Sequence, residues 1–287
     1  MPAASSSSPQ GTPSLGPGEF EQIRKLAHRA CGLDLRAGKE ELVSSRLLRL
    51  VSGSGYGSFH EYYRGVVEDK TGIALANMID ALTTNHTSFL REPEQFAFLR
   101  QHAEELARGR SALDIWSAAC STGEEVWSLA CLFADILPDL TTRVWGTDIS
   151  NKALRIAEEA VYTADRCADL PPAWLTRYFE PEGGAVRRYR ASPALRARAV
   201  FRRMNLIERL NWTQPFPIIF CRNVMIYFDR PTQEALVLRL EQVLEPGGYL
   251  FIGQAESLTR VSHSLEYVQP AVFRRPRAKG GRWRPSW

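Results

Sequence analysis

The stretch from Leu113 to Trp127 constrains this chain most. Leu113, Ile115 and Trp116 read as a short buried strand, and Val126, Leu129, Ala130 and Phe133 then recur at helical spacing. Between them lies a tight turn of small residues with one glycine, Ala118-Ala119-Cys120-Ser121-Thr122-Gly123. Small residues let a backbone approach something bound at a helix N-terminus, so the turn is a candidate ligand cradle. Downstream, a second strand from Arg143 to Gly146 ends in Thr147-Asp148. An acidic side chain at an exposed tip of the second strand is where a doubly wound sheet grips ribose hydroxyls. The same two features also suit a buried βα turn with a surface Asp. The loop is poor in glycine and offers few bare amides for a diphosphate, which Glu124 and Glu125 at the helix start would repel. Carboxylates there suit a ligand that carries an ammonium group.

Composition sets the frame. With 287 residues, 44% of them hydrophobic, the chain can build one sizeable core and a small second domain. The five cysteines (Cys31, Cys120, Cys131, Cys167, Cys221) show neither CxxC spacing nor a metal-ligand pattern, as reduced thiols of a cytoplasmic protein would. No stretch has the length of a membrane span, and residues 1–18 lack the charged start and apolar centre of a signal peptide. Rich in Ser, Pro and Gly, they are expected to form a disordered extension. The net charge of +4 comes from the C-terminal end: Arg274, Arg275, Arg277, Lys279, Arg282 and Arg284 have no acid among them. Without them 30 basic residues face 32 acidic ones.

In chain order, four amphipathic patterns predict a small helical domain over 19–90. Phe20, Ile23, Leu26, Ala27 and Ala30 mark the first helix, closed by Gly32, and the second runs from about Lys39 to Val51. The third carries Phe59, Tyr62, Tyr63, Val66 and Val67, and the fourth Leu75, Met78, Ile79 and Leu82. Lys39, Arg46 and Arg49 can share one side of the second helix, although Glu40 and Glu41 interrupt a purely basic surface and a solvated face has the same pattern. Thr83 to Arg91 is a polar cluster that serves either as linker or as one wall of a site. After Asp148 a helix with Ala153, Ile156 and Ala157 returns the chain, and the alternation of strand and helix then breaks over about 162–203. Here Tyr178-Phe179, Val186 to Tyr189 and Ala199 to Phe201 read as short antiparallel strands of an inserted, strongly basic subdomain. Its seven arginines (Arg187, Arg188, Arg190, Arg196, Arg198, Arg202, Arg203) have no acid among them. The sheet resumes with the apolar strand Pro217 to Cys221, whose tip delivers Arg222, Asn223 and Tyr227 to the carboxyl edge of a parallel sheet, where such folds place their chemistry. A Leu-rich helix, the turn Glu245-Pro246-Gly247-Gly248, a strand from Tyr249 to Gly253 and two closing strands complete the chain.

An ammonium group and a ribose occur together in S-adenosylmethionine (AdoMet). In the order Thr84-Asn85-His86-Thr87-Ser88-Phe89-Leu90-Arg91, Ala118 to Glu125, Thr147-Asp148-Ile149, Met204-Asn205-Leu206, Phe220 to Phe228 and Glu245 to Gly248, the chain resembles the CheR family of chemotaxis receptor methyltransferases. The resemblance runs from Phe20 to about Phe273. It implies an α/β fold: a Rossmann-like AdoMet-dependent methyltransferase domain over 91–275 with an inserted small antiparallel β-subdomain, a small all-α N-terminal domain for receptor recognition, and a basic tail at 276–287. Position by position it implies AdoMet contacts at Asn85, Thr87, Arg91, Glu124, Asp148, Asn205, Leu206, Arg222 and Asn223, and it puts Arg91 and Tyr227 beside the transferred methyl. The receptor's cytoplasmic part is the implied partner, recognised by the helical domain; Lys39, Arg46 and Arg49 on the second helix and the arginines of the inserted subdomain are the basic surfaces expected to hold it, with the β-subdomain as a grip for a receptor C-terminal peptide. Leu90 stands where the family usually has Phe, Cys120 where Ala is common, and the turn at Gly183 is short for such a grip.

The implied reaction suits these residue types. A glutamate with a pKa of about 4.3 is already ionised at neutral pH, so the acceptor needs positioning more than a strong base. No metal is expected, and the five histidines, at positions 28, 60, 86, 102 and 263, are scattered. Two other readings stand beside this one. A nucleic-acid methyltransferase that acts on amino groups typically has Asn/Asp-Pro-Pro-aromatic where this chain has Arg222-Asn223-Val224, and Pro171-Pro172 lies elsewhere. A ligand-sensing adaptor would bind AdoMet without turnover, against which stand the intact Arg91 and Tyr227.

Overall fold

A computed structural model describes residues 13–277. The expected extension at 1–18 and the basic tail therefore fall largely outside the described residues. The chain divides into two compact units, one ending at Thr84 and one beginning at Asn85.

The first unit is four helices. Helix α1 (Pro17–Cys31) starts on proline and ends at Gly32, whose φ of 75° only glycine adopts at no cost and whose N–H returns to the His28 carbonyl. Helices α2 (Glu40–Gly53), α3 (Phe59–Glu68) and α4 (Ile73–Leu82) follow, with the Ser58 hydroxyl capping the Glu61 N–H of α3. Ile23, Ala27, Val43, Leu47, Val51, Phe59, Met78 and Leu82 form its buried interior. Helical periodicity selects these apolar positions, but it also selects Val67, which is 55% exposed. Arg46 is not a free surface cation. Its guanidinium donates to the Leu82 carbonyl at the end of α4 and to the Thr84 hydroxyl, the latter at 2.8 Å, whereas Lys39 and Arg49 are exposed.

The second unit begins with α5 (Pro93–Ala107) and then alternates: β1 (Ala112–Ala118), α6 (Glu124–Ile136), β2 (Thr141–Asp148) and α7 (Asn151–Glu159). Then come β3 (Val161–Thr163), α8 (Pro172–Tyr178), β4 (Phe179–Glu182), β5 (Arg188–Ala191), α9 (Pro193–Arg196) and β6 (Ala199–Arg203). It closes with β7 (Phe216–Cys221), α10 (Arg230–Val243), β8 (Leu244–Ile252), β9 (Glu266–Gln269) and β10 (Val272–Arg274). The main sheet has the order β6-β2-β1-β7-β8-β10-β9. Its first five strands are parallel, and β10 runs antiparallel to both neighbours. Alternate side chains serve opposite faces: Ile115, Val144, Phe220 and Phe251 join the core under α6, while Trp116, Ile219 and Leu250 join the core under α10. Because strand order reverses between β1 and β7, the loops after β1, β2 and β7 open on a common crevice. The strand ends are within one residue of level, with Ala118 opposite both Thr147 and Cys221.

The small antiparallel sheet is β3-β5-β4, spanning Val161 to Ala191. The expectation that Ala199 to Phe201 belongs to it is corrected: this segment is β6, a parallel edge strand of the main sheet, with Val144 opposite Ala199 and Asp148 opposite Arg203. Packing explains the outcome. Phe201 lies against Trp127 at 5.5 Å between ring centroids and fills the space that Gly146 leaves, since a Cβ there would come within 2.7 Å of its ring. Folding also occupies several of the arginines. Arg190 pairs with Glu182 at 2.7 Å, Arg198 donates to the Thr142 hydroxyl, and Arg187 and Arg202 stack over Tyr189 and Trp212.

Candidate functional site

The cradle after β1 is a run of strained backbone. Ala119 and Ser121 have φ of 64° and 51°, and Gly123 has φ of 93° where a Cβ would fall 2.7 Å from the Ala157 side chain. Left-handed backbone at non-glycine residues costs on the order of 1–3 kcal/mol each and persists only where its surroundings over-determine it. Here the Cys120 N–H is held by the Thr147 carbonyl at 2.9 Å. The Ser121 N–H is held by Asp148 Oδ2 at 2.8 Å, while Asp148 Oδ1 accepts the Ser150 N–H at 2.9 Å. Asp148 thus does not stand at an exposed strand tip. It is 7% exposed, and its carboxylate shapes the loop, so a substitution there reaches the local fold as well as any ligand.

The polar segment after Thr84 is a wall of this crevice. The Ser121 hydroxyl donates to the Asn85 carbonyl at 3.1 Å, Arg91 Nη1 donates to the His86 carbonyl at 3.2 Å, and the Leu90 N–H donates to the Ser128 hydroxyl at 3.0 Å. Phe89 anchors it, buried edge-on against Tyr162 and Phe179 at 5.1 and 5.8 Å. Leu90 and Glu92 are again left-handed, with φ of 52° and 59°. Asn85, Thr87 and Arg91 are half-buried along the segment.

Glu124 is fully buried at the start of α6. Its carboxylate accepts from the Thr122 hydroxyl at 2.8 Å and from Arg166, which also donates to Thr122 at 2.7 Å. Each carboxylate oxygen keeps a second lone pair for a further donor. The Tyr162 hydroxyl holds the Thr122 carbonyl at 2.6 Å, and burial with Glu124 nearby pushes that phenol well above its usual range.

Arg222, at the tip of β7, is the hub. Its side chain is 2% exposed and lies over the rings of Phe220 and Phe96. Nη2 donates to the Arg91 carbonyl at 2.6 Å and stands 3.6 Å from Glu92 Oε2, while Nε stands 3.4 Å from Glu125 Oε2. Burial pushes the Glu125 carboxyl above its ordinary range, opposed first by Arg222 and then by the hydrogen bond from Ser117 at 2.7 Å. Asn223 follows with φ of 57° and reaches Glu92 through its side-chain amide at 3.5 Å. Beyond it a single 3₁₀ turn, Met225–Tyr227, presents the half-buried Tyr227. Asn205 and Leu206 come after β6, where the Met204 N–H binds the Asp148 carbonyl at 2.9 Å. Asn205 donates to Glu208 at 2.8 Å, and Leu206 is buried.

The structure therefore gathers the expected AdoMet contacts onto the loops that follow β1, β2, β6 and β7 and onto the segment before α5. Lys39, Arg46 and Arg49 belong to the helical unit. The donor set fits AdoMet chemically: carboxylates at Glu124 and Asp148 suit an ammonium and a ribose, and Arg222 Nε and Nη1 are buried N–H donors with no hydrogen-bond partner. Three further residues carry the site's electrostatics: Arg166, Glu92 and Glu125. Glu125 had a signal in its place at the helix start; Arg166 and Glu92 had none, because their partners lie far away in sequence.

Comparison with known proteins gives the class. Residues 85–273 match the family described as CheR methyltransferase, SAM binding domain, and residues 18–83 match its all-alpha domain. A chemotaxis protein methyltransferase of Klebsiella aerogenes is 37% identical over 267 residues, covering 90% of each chain. Chemotaxis protein methyltransferase 1 of Pseudomonas aeruginosa is 35% identical over 88% of this chain and 94% of its own, and the Escherichia coli protein is 34% identical over 90% and 91%. The chain is of the class of AdoMet-dependent methyltransferases. This chain belongs to the CheR methyltransferase family.

Proposed function

We propose that this protein transfers the methyl group of AdoMet to glutamate side-chain carboxylates in the cytoplasmic part of chemotaxis receptors, giving methyl esters and setting receptor adaptation. The observation that carries this reading is the Arg222 hub, which ties the Arg91 backbone to the strand tip that leads into Asn223 and Tyr227, in a chain similar over 90% of its length to a chemotaxis protein methyltransferase. Bound AdoMet supplies a sulfonium-activated methyl, which passes to a carboxylate oxygen as its bond to sulfur breaks and S-adenosylhomocysteine leaves. The protein's residues bind and aim. Asp148 and Glu124 offer carboxylates to the ribose and ammonium, and Asn85, Thr87, Asn205, Leu206, Arg222 and Asn223 complete the contacts. Arg91 can hold the acceptor carboxylate through two parallel hydrogen bonds while the Tyr227 hydroxyl orients it. Holding the reacting atoms in line and excluding water accounts for the rate, with no proton to remove from an acceptor that is already ionised. In this reading Lys39, Arg46 and Arg49 face the acidic methylation region of the receptor, and the small sheet is the candidate site for a receptor tail peptide.

The test is transfer from labelled AdoMet to receptor cytoplasmic fragments, read as base-labile methyl and released S-adenosylhomocysteine. Tyr227→Phe should lower turnover at saturating substrates while leaving AdoMet affinity near wild type. Wild-type turnover in Tyr227→Phe would remove the hydroxyl from the reaction. AdoMet binding with no release of S-adenosylhomocysteine would make the chain an adaptor instead.

A further inference from the structure

Glu256 stands just beyond β8 and has no part in the reading above. Its carboxylate turns inward across the sheet edge toward the turn after β7. Oε2 accepts the N–H groups of Asn223 at 2.9 Å and of Gly253 at 2.7 Å, and Oε1 accepts that of Ile226 at 3.3 Å. The Met225 N–H faces it as well. Glu256 is half-buried, and a carboxylate drawn partly out of water costs free energy unless its oxygens find donors; here every donor found is backbone from two loops. Desolvation still pushes its carboxyl above the ordinary range, so the fold holds this group at a cost.

The two loops are pressed together at this point. A Cβ on Gly253 would lie 2.4 Å from Asn223 Nδ2 and 2.9 Å from the Asn223 backbone nitrogen, which leaves room for glycine alone. Asn223 itself is left-handed, with φ of 57°, a conformation that lasts only when neighbours fix it from several sides. Glu92 engages its side chain and Glu256 its backbone. The same carboxylate then holds Ile226, the residue immediately before Tyr227.

We propose that Glu256 is a positioning residue for methyl transfer. By clamping the amides of the 223–226 turn to the end of β8 it fixes Asn223 for the cofactor and aims Tyr227 at the acceptor. This rests on the roles proposed above for those two residues. Glu256→Ala removes the clamp, while Glu256→Gln keeps one acceptor oxygen and sets an NH₂ group against backbone donors, so Gln should lie between wild type and Ala. In both variants amide hydrogen exchange should quicken at Asn223, Gly253 and Ile226 and stay unchanged in β1 and β2. The kcat should fall by about 10-fold to 100-fold, as misplaced catalytic groups do, with receptor KM little altered. If Ala does not fold, Gln carries the test. Unchanged exchange at the three amides, or faster exchange with wild-type kcat, would overturn the positioning role and leave the methyltransferase reading intact. A wild-type chain that releases no S-adenosylhomocysteine would instead remove the reading on which the role rests.

Discussion

Among the described residues of the helical unit, every left-handed backbone belongs to a glycine: Gly32, Gly38, Gly55 and Gly72. In the αβ unit seven non-glycine residues adopt it, and five of them, Leu90, Glu92, Ala119, Ser121 and Asn223, lie on the loops that carry the expected cofactor contacts. Charges divide the same way. The Arg64–Glu68 pair of α3 is open to solvent, with side chains 63% and 66% exposed, whereas Arg222 is 2% exposed between Glu92 and Glu125. One unit is held by amphipathic burial, and among its ion pairs Arg64–Glu68 stays in water. The other stores backbone strain and buried charge in the crevice, where a cofactor needs fixed donors rather than flexible ones.

Removing the cation from each pair tests this contrast. Arg222→Met leaves Glu92 and Glu125, whose side chains are only 11% and 13% exposed, without their counter-charge and should cost about 3–5 kcal/mol in urea unfolding. Arg64→Met removes an exposed i,i+4 pair and should cost about 0.3–0.5 kcal/mol. Similar losses in the two variants would break the comparison.

A smaller effect sharpens it. Arg46 secures the end of α4, so reversing it would confuse docking with folding. Lys39 and Arg49 are exposed and give the cleaner test. Exposed charges contribute roughly 0.2–1 kcal/mol each, so Lys39→Glu with Arg49→Glu should raise the receptor KM modestly, more at low salt, with AdoMet affinity unchanged. Equal methylation by this variant and wild type at low and high salt would make α2 a solvated face.

How much was legible follows from the same division. The helices of the first unit were readable because periodicity and caps act within a few residues: Phe20, Ile23 and Ala27 are buried where the pattern puts them, and Gly32 closes α1. The centres of β1, β2, β7 and β8 were readable, β1 and β7 from their apolar residues, whereas β8 starts at Leu244 and takes in Glu245 to Gly248, which read as a turn. The edge strand β6 was misassigned because its flanking arginines imitate the inserted sheet, and only Phe201 packing on Trp127 and Gly146 decides its place. Asp148 could be recognised as an acid at a strand end. That both its oxygens hold backbone amides could not, since Ser121 is distant in sequence and its left-handed φ leaves no mark in composition. The partners of Arg222, from Phe96 to Glu125, meet it only through sheet topology.

The contrast rests most directly on where AdoMet acts. Amide hydrogen exchange of the full chain, measured with and without saturating AdoMet, compares the two units in one experiment. The expected result is slower exchange at the strained loops, around Asn85 to Glu92, Ala119 to Glu124, Ser150 and Arg222 to Ile226, with α1 to α4 unchanged. Protection centred on the helical unit, or none at the loops after β1 and β7, would contradict the assignment of the crevice as the AdoMet site.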